Sequence, residues 1–477
     1  MHKHNLMEKL YLLSSYLRKR ISYKYYYIII IIILFSPLNY LTQNIYGQSV
    51  SDSLQSNLKL RAEPNYITAA AEVFGFNMTV WAYDRFIYQV EWAKISWNTM
   101  RENLKHGFVL DEDGFETNQF AHPYHGSFSF TAARSSGINF WKSVPYPFAG
   151  SLMWELFMET EYPSINDLIT TPMSGIILGE TSFRISNLVL YSGKKSILRE
   201  IAAFILSPMS GLNRLLYGKD VHSFRIKNKH PEYNISFSGG LNGVILDEDF
   251  SQKLPHLYLK FYLQYGRYAE IKKNYKPFDY FETEVGLSLS RINTIIEIQS
   301  SGLLLGKKIR LKSRNKAVIG IFQSFDFLDN RIYKISSTAV GAGFLTRYFF
   351  KQKNIWDNTL TLSIIAMGGL NPLYVFEGGR DYNLGPGAKI KYESYFSFIN
   401  QFGLFLKYKY YWIYPLKGAR GNEYVDILRL GAQFKITYAH SLNIEFIEYD
   451  RWSNYTNFPD QQDNTYAMRI FYSYSFN

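Results

Sequence analysis

From about residue 233 onward, hydrophobic and polar positions alternate with a period of two. Leu257, Leu259, Phe261, Leu263 and Tyr265 fall on one face of an extended segment, and Tyr258, Lys260, Tyr262, Gln264 and Gly266 on the other. Phe281, Thr283, Val285, Leu287 and Leu289 stand against Glu282, Glu284, Gly286, Ser288 and Ser290 in the same way. The pattern recurs over residues 316–327, 334–350, 358–369, 388–398, 401–412, 425–438, 441–449 and 465–476. Asn371-Pro372, Gly378-Gly379 and residues 418–422 interrupt it as turns or loops. One face suits hydrocarbon and the other water, which predicts an antiparallel transmembrane β-barrel of about twelve strands. A secreted β-sandwich would alternate likewise, but has no need of aromatic exteriors on so many successive strands.

Between residues 66 and 216 the period is instead helical, broken by Gly and Pro. An apolar, aromatic stretch over 69–97 carries Asp84, Arg85 and Glu91, and a polar loop covers 110–118. A Ser- and Ala-rich helix ends at Arg134. A second is expected over 147–161, with Ser151, Glu155 and Glu159 one turn apart on one face. Ser164 or Asp167 can cap the helix that follows. Residues 194–206 are basic, then apolar, and suit either a membrane surface or a packed amphipathic helix ended by Pro208. The expected fold class is therefore α+β, with a helical segment at 48–220 followed by the barrel at 221–477.

Ahead of these, basic residues up to Lys24 precede an apolar run over 25–35 centred on six isoleucines, followed by Ser36-Pro37. This order reads as a signal peptide over 1–47 that directs export through the inner membrane, with cleavage near Gly47-Gln48. A retained anchor is the alternative, although the run is shorter than the roughly 20 residues a membrane span needs.

Composition sharpens the barrel reading. Aromatic residues are 18% of the chain, with 40 Tyr and 36 Phe, as girdles at a membrane interface require. A mean hydropathy of -0.17 is too low for a bundle of membrane helices. The absence of Cys excludes disulfides, thiolate metal sites and a cysteine nucleophile. The formal charge is +12, of which residues 1–47 contribute +5, leaving +7 that is spread thinly. Such a surplus suits outer-membrane lipid headgroups, not nucleic acid, which wants a clustered patch. In the last strand Tyr466, Met468, Ile470, Tyr472, Tyr474 and Phe476 alternate with polar and small residues. It resembles the C-terminal signal that the barrel-assembly machinery recognises, with Asn477 one residue beyond the closing aromatic.

Several adjoining motifs resemble a known family. They are His122-Pro123-Tyr124-His125-Gly126, Ala132-Ala133-Arg134-Ser135-Ser136-Gly137, Phe140-Trp141, Gly150-Ser151-Leu152 with Trp154-Glu155, and Pro163-Ser164-Ile165-Asn166-Asp167-Leu168. Gly175, Gly179-Glu180, Arg184-Ile185-Ser186, Ser207-Pro208 and Asn213-Arg214 continue them. Together they resemble domain-of-unknown-function family 3943 over residues 113–218. The resemblance implies a bacterial, Gram-negative envelope protein with a barrel-like C-terminal part, and no established activity.

Three readings of the polar residues follow. In the first, the helical segment plugs or caps the barrel of an envelope channel or scaffold, and Arg134, Glu155, Glu159, Asp167 and Arg184 form a buried network that holds it in register. In the second, the protein is a membrane-embedded hydrolase or transferase acting on lipid. His122 or His125 is then the base, Ser164 the nucleophile or Glu155 the acid, and Asp167 orients the histidine. In the third, His122, His125, Glu155 and Glu159 ligate a metal, without the usual His-Glu-x-x-His spacing. No nucleotide loop, dinucleotide fingerprint or calcium loop is present, so no cofactor is expected.

Overall fold

The structure is a computed structural model that describes residues 64–191, 196–217, 232–245, 256–270, 275–289, 295–312, 314–330, 333–372 and 381–476. The expected signal segment at 1–47 and the Gly378-Gly379 break lie outside the described residues.

The helices are α1 (Tyr66–Tyr83), α2 (Trp97–His106), α3 (His122–Ser135), α4 (Phe140–Ser143), α5 (Pro145–Phe157), α6 (Ile165–Tyr191), α7 (Ile197–Leu206) and α8 (Pro208–Tyr217). Their starts carry the expected chemistry. Asn65 accepts from Thr68 N at 2.9 Å ahead of α1, Ser96 and Thr99 form a capping box on α2, and Pro occupies the first turn of both α3 and α5. α5 ends at Phe157, so Glu159 lies in the turn beyond it and not on the shared face that the spacing predicts. Small residues let α3 and α6 touch backbone to backbone. A methyl on Gly126 would sit 2.1 Å from the Thr171 carbonyl, and one on Gly175 2.5 Å from the Gly126 carbonyl carbon.

The described residues after the helices form twelve antiparallel strands in one closed barrel, each paired with its neighbours in sequence and β12 with β1. They are β1 (Tyr233–Ile245), β2 (His256–Tyr265), β3 (Phe281–Leu289), β4 (Ile295–Arg310), β5 (Lys316–Asp329), β6 (Lys334–Phe349), β7 (Ile355–Leu370), β8 (Asn383–Phe398), β9 (Phe402–Ile413), β10 (Gly421–Lys435), β11 (His440–Tyr455) and β12 (Gln461–Phe476). Both ends of the strand series, Tyr233 and Phe476, lie at one rim with the short connections 311–315, 350–354, 399–401 and 436–439. The fifteen-residue connection 266–280 between β2 and β3 lies at this turn rim too, and the connections 246–255, 290–294, 330–333, 371–382, 414–420 and 456–460 lie at the other, the loop rim. An even-stranded, closed, antiparallel barrel is the outer-membrane type.

Strand alternation decides what each face meets. The inward row carries ion pairs that cross the lumen. Glu297 on β4 accepts from Arg429 on β10 at 2.8 Å and from Arg469 on β12 at 2.6 Å. Lys407 on β9 donates to Glu284 on β3 at 3.0 Å, and Asp326 on β5 accepts from Lys389 at 2.6 Å and Lys409 at 3.0 Å. Arg451 and Arg469 are among the largest fully buried side chains, so this section of the lumen is filled by the strands themselves. Toward the turn rim, Tyr268 and Tyr280 from the β2–β3 connection pack with Leu303, Val318, Phe322 and Leu345.

The outward row differs around the circumference. On β9 to β12 it exposes Leu404, Leu430, Ile444, Met468 and Ile470, as a lipid-facing wall does. On β1 to β7 the row is covered in part: Leu241, Leu257, Leu305, Ile319, Phe344, Leu362 and Ile364 stay exposed, while a band between them is buried. Ile235, Phe261, Phe281, Val285, Phe325, Phe327 and Met367 share one hydrophobic cluster with Phe115, Phe120, Phe130, Ile176, Ile177 and Leu188 of the helical segment. Polar ties run along the same outer wall: Gln323 donates to the Met173 carbonyl at 2.8 Å, Thr181 meets Ser300 at 3.3 Å, and Ser174 meets Thr338. α6 thus runs along the outside of the barrel, from Phe115 and Tyr382 near the loop rim to Arg184 and Asp279 near the turn rim. The expectation that the helices plug or cap the lumen is corrected here. The charged inward row already fills that space, and the apolar surface left uncovered lies on the outer wall.

Candidate functional site

The candidate residues of the helical segment separate into two clusters. At the loop rim, the 107–118 strap is pinned to the start of α6, with Val109 N donating to the Pro163 carbonyl and Ile165 N to the Val109 carbonyl, both at 2.8 Å. Asp111 then gathers side chains: it accepts from Ser164 Oγ at 2.6 Å, Asn166 Nδ2 at 2.7 Å and Asn118 Nδ2 at 2.8 Å. Glu155 accepts from Ser164 N at 2.7 Å, and Glu159 accepts from Trp154 Nε1 at 3.2 Å. His122 Nε2 stands 3.6 Å from Asp113 and 4.0 Å from Asp167. Asp113 is more than half exposed while Asp167 is buried, so the histidine bridges surface and interior. Lys417, in the β9–β10 connection, pairs with Glu112 at 3.2 Å and places this cluster level with the loops.

The charges set the protonation of the cluster. Burial pushes the His122 imidazole down, but Asp167, Asp113 and Glu155 together outweigh it and hold it well above its ordinary 6.5. Burial pushes the Glu159 carboxyl up to about 8, against the pull of His122. Both folded pKa values lie above the unfolded ones, so both groups stabilise the fold fully at low pH and lose that contribution as pH rises. For Glu159 the loss runs from pH 4.5 to about 8, and for His122 it begins near 6.5. Protease resistance of the helical segment is therefore expected to fall from pH 5 to pH 8, and Glu159→Gln to flatten that slope. A resistance that rises over the range in wild type would contradict these assignments.

Several predicted roles change. Ser164 caps α6 by accepting from Asp167 N at 3.1 Å, and its hydroxyl donates to Asp111, so its bonds do not run to a histidine as a nucleophile's would. His125 turns away from the acids: its Nε2 meets Asn77 Oδ1 at 2.7 Å, edge-on to Phe76 and Trp154. The metal set His122, His125, Glu155 and Glu159 is accordingly not brought together. Among the described residues no three His, Asp or Glu side chains are arranged to hold a metal.

The single network of Arg134, Glu155, Glu159, Asp167 and Arg184 is also divided. Both arginines lie further down the helices and meet Glu180, which accepts from Arg134 Nε at 2.6 Å and from Arg184 Nε at 2.7 Å. Arg184 continues to Asp279 at 3.1 Å and the Pro277 carbonyl at 2.7 Å, tying the helices to the β2–β3 connection. The arginines are separated from Glu155 and Glu159 because α3 and α6 cross at Gly126 and Gly175 and pair Arg134 with the face that carries Glu180. Sequence reasoning missed Asp111, Asp113, Asn166 and Glu180 as partners. Glu180 and Arg184, four apart on one helix, were the available signal.

Solved barrels with similar folds include the NanC porin, at 12% identity and TM-score 0.27 over 50% of this chain and 98% of that chain. The CymD monoaromatic hydrocarbon channel is 9% identical, with TM-score 0.24 over 52% and 90%. The channel DcaP of Acinetobacter baumannii is 8% identical, with TM-score 0.22 over 51% and 96%. No curated protein matches the chain. Residues 107–209, which supply the loop-rim cluster and the Arg134–Glu180–Arg184 network, match the family Domain of unknown function (DUF3943).

Proposed function

We propose that this protein is an outer-membrane scaffold in which a closed barrel carries a helical unit that replaces lipid along one side of its wall. The observation behind this reading is the band of outward positions on β1 to β7, among them Phe261, Phe281, Val285, Phe325 and Phe327, that lies buried against the helical unit, where β9 to β12 expose their outward row. The filled lumen favours a scaffold over an open channel. The outer surface of the helical unit is itself apolar at Ile67, Ile197, Ile201 and Leu215, continuing the lipid-facing wall. No helix among the described residues is long and apolar enough to cross a membrane by itself. α6 has no need to be, because the barrel and its neighbouring helices cover it.

The chain has no Cys, so single nitroxide labels can be introduced cleanly. Labels at Ile201 and Leu215 in the reconstituted protein are expected to be relaxed by oxygen, like one at Leu404. Relaxation of both by a water-soluble nickel reagent instead would refute the lateral placement.

A lipid-acting enzyme is a second reading, favoured by His122 standing between Asp113 and Asp167 at an exposed rim. On that reading His122→Ala abolishes release of lipid fragments, followed by mass spectrometry, while the barrel still migrates as a compact species unless boiled. Wild type that leaves every lipid intact would dispose of it.

A further inference from the structure

Where the loop-rim end of the helical unit meets the barrel wall, five buried polar atoms take no hydrogen-bond partner from the described residues. They are Asn118 Oδ1, Gln119 Oε1 and Nε2, Thr170 Oγ1 and Ser336 Oγ, on residues at most 1% exposed. Thr131 and Ser135 on α3 return their hydroxyls to the carbonyl one turn back, at 2.8 and 2.7 Å, and Thr170 on α6 does not. Buried amides and hydroxyls are hydrogen-bonded as a rule, since burying them unpaired disfavours the folded state.

The strand register brings these atoms together. Ser336 points outward on β6, between Phe327 on β5 and Gly369 on β7. A methyl on Gly369 would sit 3.2 Å from Gln119 Cδ and 3.0 Å from the Tyr382 ring, so the Gln119 amide lies over the Ser336–Gly369 pair. Asn118, its chain neighbour, donates to Tyr382 Oη at 2.9 Å. Ser174 on α6 meets Thr338 on β6. Thr170 is one helical turn nearer the loop rim than Ser174, and Ser336 two strand residues nearer than Thr338, which sets them level. Phe115 and Phe120, each with its ring centroid 5.5 Å from that of Phe327, wall the pocket with carbon.

We propose that this pocket is an internal water site through which the helical unit is joined to the barrel. The four side chains are neutral and offer donors and acceptors together, which suits a ligand that both gives and takes hydrogen bonds and not an ion. An internal water makes about three such bonds, so the five atoms hold about two molecules. Asn118 links the site to the loop-rim cluster: its Nδ2 donates to Asp111 at 2.8 Å while its Oδ1 accepts from the water. Buried water thus stands one side chain away from the carboxylates around His122. The site requires only that the helices lie on the outer wall, so it is independent of the scaffold and enzyme readings.

The test is radiolytic hydroxyl-radical footprinting of the full chain in detergent micelles, read by mass spectrometry, because radicals born from bound water oxidise the side chains beside it even where bulk solvent does not reach. Phe327 and Tyr382, which flank the pocket, are expected to oxidise several-fold faster than Phe281, which is as deeply buried near the turn rim. Gln119→Met combined with Ser336→Ala removes three of the five polar atoms at similar volume, and should keep the compact gel species while losing that excess. Ser336→Ala alone serves if the double variant fails to assemble, with a partial loss. Oxidation of Phe327 and Tyr382 as slow as that of Phe281 in wild type means that the polar atoms bond one another directly, and overturns the site. Equally fast oxidation in wild type and in a compact variant means that bulk solvent enters the seam, and overturns it too.

Discussion

Glu180→Ala is expected to destabilise the helical unit by about 3–5 kcal/mol, because it removes the carboxylate from a buried guanidinium that cannot reach water. Arg134 is only 2% exposed and gives Glu180 two bonds, at 2.6 and 3.3 Å, with the Ile138 carbonyl at 2.6 Å and the Phe183 ring, neither of them charged, beside it. Arg184 is less affected, since Asp279 and the Pro277 carbonyl remain to it. Glu180→Gln preserves an acceptor and should lose less. The measurement is denaturant-dependent proteolysis of the segment in the membrane-extracted protein. Barrel migration on unboiled gels serves as the control, because the strands keep their own pairing. A loss under 1 kcal/mol would mean that Arg134 finds water in the folded state and that the pairing is dispensable.

The second large effect is in the lumen. Glu297→Ala takes one carboxylate from two guanidiniums, leaving Arg429 with Glu284 at 3.2 Å and Arg469 with Glu445 at 3.5 Å. Two positive charges then face each other across a lumen with one fewer anion between them. The expected cost is again about 3–5 kcal/mol, seen as a lower temperature at which the compact gel species is lost. Adding Arg469→Met should restore part of the loss, since removing both partners deletes the uncompensated charge as well as the pair. If the single variant were as heat-resistant as wild type, the lumen would be wet, and an open channel would become the better account of the barrel.

Much of this molecule is written in its local pattern. The twelve strands follow from alternation, because a wall with hydrocarbon on one side and polar lumen on the other imposes period two on every strand whatever its neighbours are. β12 shows this well: the face read as Tyr466, Met468, Ile470 and Tyr472 is the outward, exposed one. Local chemistry also marks the start of α6, since Ser164 caps it within three residues. Other features depend on positions distant in the chain. The inward charges were legible as a polar face, but Glu297 finds Arg469 only once β4 and β12 oppose each other across the closed barrel.

Glu155 and Glu159 looked like one helical face until the chain turned after Phe157. Arg134 found Glu180 and not Glu155 because the glycine crossing of α3 and α6 fixes which faces meet. The same holds for the position of the helical unit. Its periodicity announces helices with polar residues among apolar ones, a pattern compatible with a plug, a cap or a sheath. The sequence by itself determined the barrel, its faces and the capped helices, because those depend on periods and on contacts a few residues apart. Only the tertiary structure decided that the helices lie outside the wall and which charges they pair, because these depend on which surface the closed barrel leaves apolar and uncovered.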